Sequence, residues 1–192
     1  MSLDSYPRIA DWIAVRGGRL LVHSGKVDIG QRISTALVQI AYEELGVPFD
    51  QIDIAPVRTG EAPDEGMTSG SNSIEQSGRA VQCAAATLRS RLREMLASKY
   101  GGSPTEWDLE DGVFRLPGTN HRRPVVELIE DVSSDELVDV SISPRSRPKG
   151  TLPRPPMRGI AEMVRGTYTF IHDLDVPGMW HARVVRPPHV HA

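Results

Sequence analysis

Glu65-Gly-Met-Thr-Ser-Gly-Ser-Asn-Ser-Ile-Glu-Gln-Ser-Gly-Arg-Ala-Val-Gln82 begins as a glycine- and hydroxyl-rich loop and ends as a helix. From Ile74 onward, Ser77/Gly78, Val81, Ala84/Ala85, Leu88, Leu92 and Met95/Leu96 recur at helical spacing. The pattern predicts one long amphipathic helix over 73–99, stopped by Gly101-Gly102. Ser77, Gly78 and the alanines near its start predict a close approach to another backbone. The preceding loop offers Thr68, Ser69, Ser71, Asn72 and Ser73 together with Gly66 and Gly70. Free N–H groups at a helix start, the positive end of the helix dipole and short hydroxyl side chains favour an anion such as phosphate. Small residues also let a flat ligand come close to the chain. Asn72…Glu75 and Ser73…Gln76 both have capping-box spacing, so plain helix capping and phosphate binding remain open for this loop.

Upstream, Trp12-Ile-Ala-Val-Arg and Arg19-Leu-Leu-Val-His flank Gly17-Gly18, which predicts a β-hairpin with a tight turn. Ile33, Leu37, Ile40, Ala41 and Leu45 then switch to helical spacing, and Gly46 followed by Pro48 ends that helix. Gln51-Ile-Asp-Ile-Ala-Pro-Val alternates and predicts a strand pairing with the hairpin, and 58–70 is a loop. Between the hairpin and the first helix lies Ser24-Gly-Lys-Val-Asp-Ile-Gly-Gln-Arg-Ile-Ser-Thr35. Within it, Asp28-Ile-Gly-Gln31 fits a capping box, the commoner use of such residues. Alternatively, Gly30 permits close approach while the Gln31 amide reaches a ligand.

Downstream, Trp107-Asp-Leu-Glu and Val113-Phe-Arg-Leu flank Asp111-Gly112, a second hairpin signal. Pro124 to Asp131 predicts a short helix, and Val138–Ile142 a short strand. Residues 144–158 combine five prolines with Arg145, Arg147, Lys149, Arg154 and Arg158 and no acid, the composition of an extended, solvated linker. After it, 166–172 and 179–186 read as two strands around the Asp-Val-Pro-Gly turn at 175–178. The expected class is α+β: a mixed or antiparallel sheet carrying two main helices over 1–143, the linker 144–158, and the start of a second, β-rich unit over 159–192. No internal repeat is visible.

A net charge of -3 gives no general attraction for nucleic acid or an anionic membrane. The single Cys83 excludes an intrachain disulfide framework and an all-cysteine metal site, and it reads as a small core residue. No apolar run approaches the roughly 20 residues of a transmembrane helix. Residues 1–10 lack the basic start and apolar stretch of a signal peptide, so the expectation is a cytoplasmic protein. His189-Val-His191 with His181 could hold a metal, but a frayed tail is the commoner meaning of such histidines, and no metal ligand is assigned. No Ser-His-Asp arrangement, P-loop or dinucleotide-binding glycine fingerprint is present.

Three blocks taken together resemble the molybdenum-binding large subunit of the xanthine dehydrogenase/aldehyde oxidase family, in its isoquinoline 1-oxidoreductase and nicotinate dehydrogenase branch. They are Ser24 to Pro48, Pro63 to Ile74, and Phe170 to Pro188, in the family's order. The resemblance implies that 1–143 is part of a molybdopterin cofactor-binding domain and 159–192 the start of a hammerhead-like domain. It implies a molybdenum–molybdopterin cofactor, in bacteria usually the cytosine dinucleotide, and hydroxylation of an aromatic N-heterocycle or an aldehyde with oxygen from water. Electrons would leave through iron–sulfur clusters, often to a flavin (FAD), on partner domains or subunits. Gln31 matches the family glutamine beside the metal's oxo ligand, with Gly30 next to it. Gly70 matches the small residue that passes the metal, and Thr68, Ser69, Ser71 and Ser73 match the region contacting the pterin and its phosphates. Two departures stand out. The family motif reads Gly-Gln-Gly where this chain has Arg32 in third place, and the family's general-base glutamate lies downstream of this chain. A non-catalytic scaffold or assembly module that keeps the fold is therefore the competing expectation.

Overall fold

The structure, a computed structural model, describes residues 2–146, 153–186 and 188–189. The chain divides into two compact units, one running to Arg158 and the other from Gly159.

The first unit opens with a short helix, α1 (Ser2–Ser5), and the hairpin β1 (Ile13–Arg16) and β2 (Arg19–Val22), with Ile13 opposite Val22 and Arg16 opposite Arg19. Gly17 and Gly18 both take positive φ, 59° and 73°, the geometry whose twist matches paired strands. α2 (Ile33–Leu45) then crosses over, and β3 (Ile52–Ile54) returns parallel to β2 with Leu20 opposite Ile52. α3 (Arg79–Tyr100) is the long helix, entered through a π-helical turn over Ile74–Gly78. A second, antiparallel sheet follows: β4 (Asp108–Glu110), β5 (Val113–Arg115) and β6 (Arg122–Pro124). Pro124 precedes α4 (Val125–Leu128), where its missing N–H costs no helix bond. The protein is α+β, as its periodicities indicate, and no helix among the described residues is long and apolar enough to cross a membrane.

One continuous core joins both sheets to α2 and α3, with Trp12, Leu20, Leu37, Leu88, Trp107 and Phe114 among its fully buried side chains. The two helices meet tightly at Gly78, where an added Cβ would lie 3.1 Å from Ile40 Cδ1. The close approach expected near the start of α3 is thus to a side chain of α2.

Several local expectations need correction. Neither Asn72…Glu75 nor Ser73…Gln76 forms a side-chain cap: the Gln76 N–H that Ser73 would cap donates to Asn72 O, and a π turn over Ile74–Gly78 follows. Asp28 and Gln31 do not cap α2 either. Arg32 holds the cap position in a left-handed conformation, and Asp28 accepts from Ser34 Oγ instead. Residues 138–142 make no strand; the chain there pairs only briefly, Val138 N–H donating to Pro7 O and Leu137 bridging to Arg8.

The start of the supposed linker is also part of the body. Arg89 on α3 pairs with Glu44 on α2 at 2.6 Å, both side chains buried, and the Arg145 N–H donates to both Glu44 oxygens at 3.1 Å. Arg89 also donates to Ser143 O and Arg145 to Leu109 O. Burial pushes the Glu44 carboxyl up from its ordinary pKa and the Arg89 guanidinium down, so loss of solvent outweighs the mutual attraction at each partner. Of the other basic residues noted there, Arg147 and Lys149 lie outside the described residues.

Among its described residues the second unit holds α5 (Ile160–Arg165) and a 3-10 turn at Ile171–Asp173. The strands expected at 166–172 and 179–186 do not form. An isolated hairpin is marginal in water, and the side chains that would seat it find no cover within this unit: Trp180 is 95% and Val185 88% exposed.

Glu44 is the acceptor on which three chain segments converge. Glu44→Ala is expected to lower stability by about 3–5 kcal/mol, because Arg89 is left as an unpaired buried charge. Urea unfolding of wild type and variant measures it.

Candidate functional site

The loops at 24–31 and 65–73 are drawn together by one carboxylate. Glu65 Oε2 accepts from the Gly25 N–H at 2.8 Å and from Ser77 Oγ at 2.7 Å, while Ser24 Oγ lies 3.2 Å from both Glu65 Oε2 and Ser77 Oγ. Glu65 Oε1 accepts from Ser2 Oγ at 2.8 Å. Ser24 and Ser77 are buried, so these hydroxyls are satisfied inside the protein. Close by, Lys26, only 5% exposed, donates through Nζ to Glu65 O at 2.6 Å and Met67 O at 3.2 Å. Gly25 makes the approach possible, since a Cβ there would stand 1.9 Å from Pro63 O.

One residue further along, the Val27 N–H donates to Thr68 Oγ1 at 3.0 Å, and Gln31 Nε2 donates to Val27 O at 2.8 Å. Gln31 and Thr68 are therefore connected through a single residue, Val27. Each end of the Gln31 amide makes a bond to its own loop, Oε1 accepting from the Ile29 N–H at 2.7 Å. Gly30 (φ 114°) and Gly66 (φ 66°) have open space where a side chain would sit. Ser69, Gly70 and Ser71 are exposed, Thr68 and Ser73 partly so, and Gly70 lies against its neighbour Asn72. The expected site residues Gly30, Gln31, Thr68, Ser69, Gly70, Ser71 and Ser73 thus belong to two neighbouring, clamped loops. From Gly66 to Ile74 there is no acidic side chain, and Glu65 turns inward, a donor set suited to an anionic ligand.

A further cavity lies beside this clamp. It encloses about 690 Å³ and is lined by Tyr6, Asp11, His23, Arg58, Pro63 and Glu65 among others, with none of the residues at 27–31 or 67–73 in its wall. Burial lowers the His23 pKa, against a smaller opposing pull from Asp11. Among the described residues no group of three or more His, Cys, Asp and Glu is placed to hold a metal ion. His191, part of the histidine tail considered above, is outside the described residues.

Sequence reasoning missed the roles of Lys26, Glu65, Ser24 and Ser77. Their signal is weak: a lysine and a glutamate beside glycines, roughly forty positions apart, with no periodicity to link them.

The family described as molybdopterin cofactor-binding domain matches residues 12–157. One of the subunits of nicotinate dehydrogenase from Pseudomonas putida is 30% identical over 194 residues, covering 94% of this chain and 15% of that protein. The gamma subunit of the 6-hydroxypseudooxynicotine dehydrogenase complex of Paenarthrobacter nicotinovorans is 31% identical over 113 residues, 59% of this chain and 14% of its own. Among solved structures, CO dehydrogenase from Oligotropha carboxidovorans matches with a TM-score of 0.53 and 26% identity over 60% of this chain and 15% of that one. The chain therefore spans 14–15% of the length of these relatives.

Two outcomes follow from the clamp and the cavity. Gly25→Ala forces the two loops apart and should cost about 1–3 kcal/mol, read as a lowered Tm. His23 is held below its ordinary pKa of 6.5, so the unfolded chain takes up its proton first as pH falls. The stability it contributes is present above about pH 6.5 and declines as pH drops from there toward the folded value. Thermal unfolding against pH should show that decline in wild type and a shallower one in His23→Gln.

Proposed function

The chain belongs to the molybdopterin cofactor-binding domain family, and from that membership we propose that it supplies part of the cofactor site of a cytoplasmic molybdenum hydroxylase. The observation that carries the reading is the Val27–Thr68 bond, which sets the Gln31 loop beside the 66–73 loop. Residues 1–143 then belong to the cofactor-binding domain, and 159–192 begin a hammerhead-like domain. The donor set fits the group: glycines with open space at two exposed bends, and the hydroxyls of Thr68, Ser69, Ser71 and Ser73 on a stretch from Gly66 to Ile74 that carries no carboxylate.

When bound, molybdenum–molybdopterin, of the cytosine dinucleotide type in this reading, supplies the two-electron chemistry that hydroxylates an aromatic N-heterocycle or an aldehyde. This chain's residues bind and orient. Thr68, Ser69, Ser71 and Ser73 hold the pterin and its phosphates, Gly30 and Gly70 admit the flat ring system, and Gln31 turns its amide toward the reacting centre. The partners are the remainder of the large subunit, which provides the general-base glutamate, and an iron–sulfur subunit, with FAD on a further subunit. The relative in Pseudomonas putida is named for nicotinate, an aromatic N-heterocycle, which supports that substrate class.

Arg32 favours a second reading, a scaffold that keeps the fold without the chemistry. It takes a left-handed φ of 59° that glycine adopts without strain, and it places a cation beside Gln31.

Molybdenum analysis and the fluorescence of oxidised pterin, measured on the complex isolated from its source, separate the two. The first reading expects both signals, and a metal-free complex with all partners present supports the scaffold. In an active complex Gln31→Ala should lower kcat on the order of 100-fold, the usual cost of one preorganised donor, with molybdenum content unchanged.

A further inference from the structure

Lys26 has no part in the functional reading above, yet it is among the most enclosed polar groups of the fold. Its side chain lies beneath the 65–67 backbone, and both hydrogen-bond partners of its Nζ are backbone carbonyls rather than carboxylates. The carboxylate of Glu65 takes its bonds from Gly25, Ser77 and Ser2 and makes no ion pair with that ammonium. An ammonium held by carbonyl oxygens is not neutralised by them, and burial weakens the screening of its charge by water. Immediately beyond Met67 the chain presents Thr68, Ser69, Gly70 and Ser71 with no acidic side chain among them. The charge therefore underlies the stretch of backbone where an anion is favoured.

We propose that Lys26 is a positioning residue for an anionic ligand of the 66–73 loop, its buried ammonium both fixing the loop backbone against the 24–27 turn and supplying the positive potential behind it. The ligand chemistry is a phosphate or pyrophosphate group, and the role rests on the reading of this loop as the place where the cofactor's phosphates lie. Lys26 touches neither the ligand nor the reacting atoms. It acts through the carbonyls of Glu65 and Met67, which it ties to the turn beneath them. A loop fixed in this manner binds with less loss of freedom than one ordered only by its ligand.

The test uses the full chain and inorganic pyrophosphate, read by thermal shift and by titration calorimetry at low salt. Wild type is expected to be stabilised by pyrophosphate. Lys26→Met keeps the length of the side chain and removes the charge. It should retain the fold by circular dichroism while binding pyrophosphate roughly ten-fold more weakly or worse, as expected for loss of one weakly screened unit charge nearby. If that variant does not fold, Lys26→Gln, which keeps two N–H donors without the charge, replaces it with the same expectation. Equal pyrophosphate binding by wild type and the neutral variant overturns the role of Lys26 and leaves the phosphate reading standing. A wild-type chain indifferent to pyrophosphate overturns the phosphate reading itself and the role of Lys26 with it. Salt dependence supplies the readout a merely structural lysine would not move: wild-type affinity for pyrophosphate should fall with added salt more steeply than that of the neutral variant, and equal slopes overturn the electrostatic role.

Discussion

A carboxylate turned into the protein must be given donors, and the Glu65 carboxylate receives them from three separate parts of the chain. Ser2 reaches it from the N-terminal helix, Gly25 from the loop after β2, and Ser77 from the turn that opens α3. A half-buried carboxylate that lost these donors would be left short of partners, so the segments are held in place together. The position of the 66–73 loop is a consequence. Its first residue follows Glu65 directly, and its hydroxyls can only face where the anchored carboxylate leaves them.

The same device operates at a second carboxylate. Glu44 gathers Arg89 from α3 and the backbone of Arg145, as Glu65 gathers the loops. The apolar core between α2 and α3 sets their separation, but apolar packing is non-directional and tolerates sliding. Directed bonds to two carboxylates, Glu44 buried and Glu65 half-buried, remove that freedom. The fold thus uses hydrophobic burial for cohesion and inward-turned carboxylates for registration, one beside the candidate site and one between the two helices.

This division explains what could be read from the chain and what could not. Gly17-Gly18 and Asp111-Gly112 announce their hairpins because both residues of each turn need positive φ, a local requirement. The stripes of α2 and α3 are equally local. Glu65 and Ser24 stand 41 positions apart, and Glu44 and Arg145 are separated by 101, so no pattern within a window links them. Arg145 was legible only as one more charge among prolines, and β6, with its Arg122-Arg123-Pro124 sequence, lacks any strand alternation. At 166–172 and 179–186 the error runs the other way. Alternation states which faces a segment can bury, whereas strand formation also needs a neighbouring edge. Of the site, the loop-to-helix junction and Gln31 were visible as residue types, and the clamp that sets them side by side was not.

The state of Gln31 bears on how such a loop can serve a ligand. Both ends of its amide are occupied by its own loop, by the Ile29 N–H and the Val27 carbonyl. Each is a neutral bond worth about 0.5–1.5 kcal/mol net, and the loop is exposed, so water can take the place of either partner when the side chain leaves. Release is therefore cheap. The Val27 N–H to Thr68 bond is independent of the amide and survives its departure. The arrangement lets the side chain turn outward without loosening the contact between the two loops, so recognition can be adaptable at Gln31 while the Glu65 clamp stays fixed.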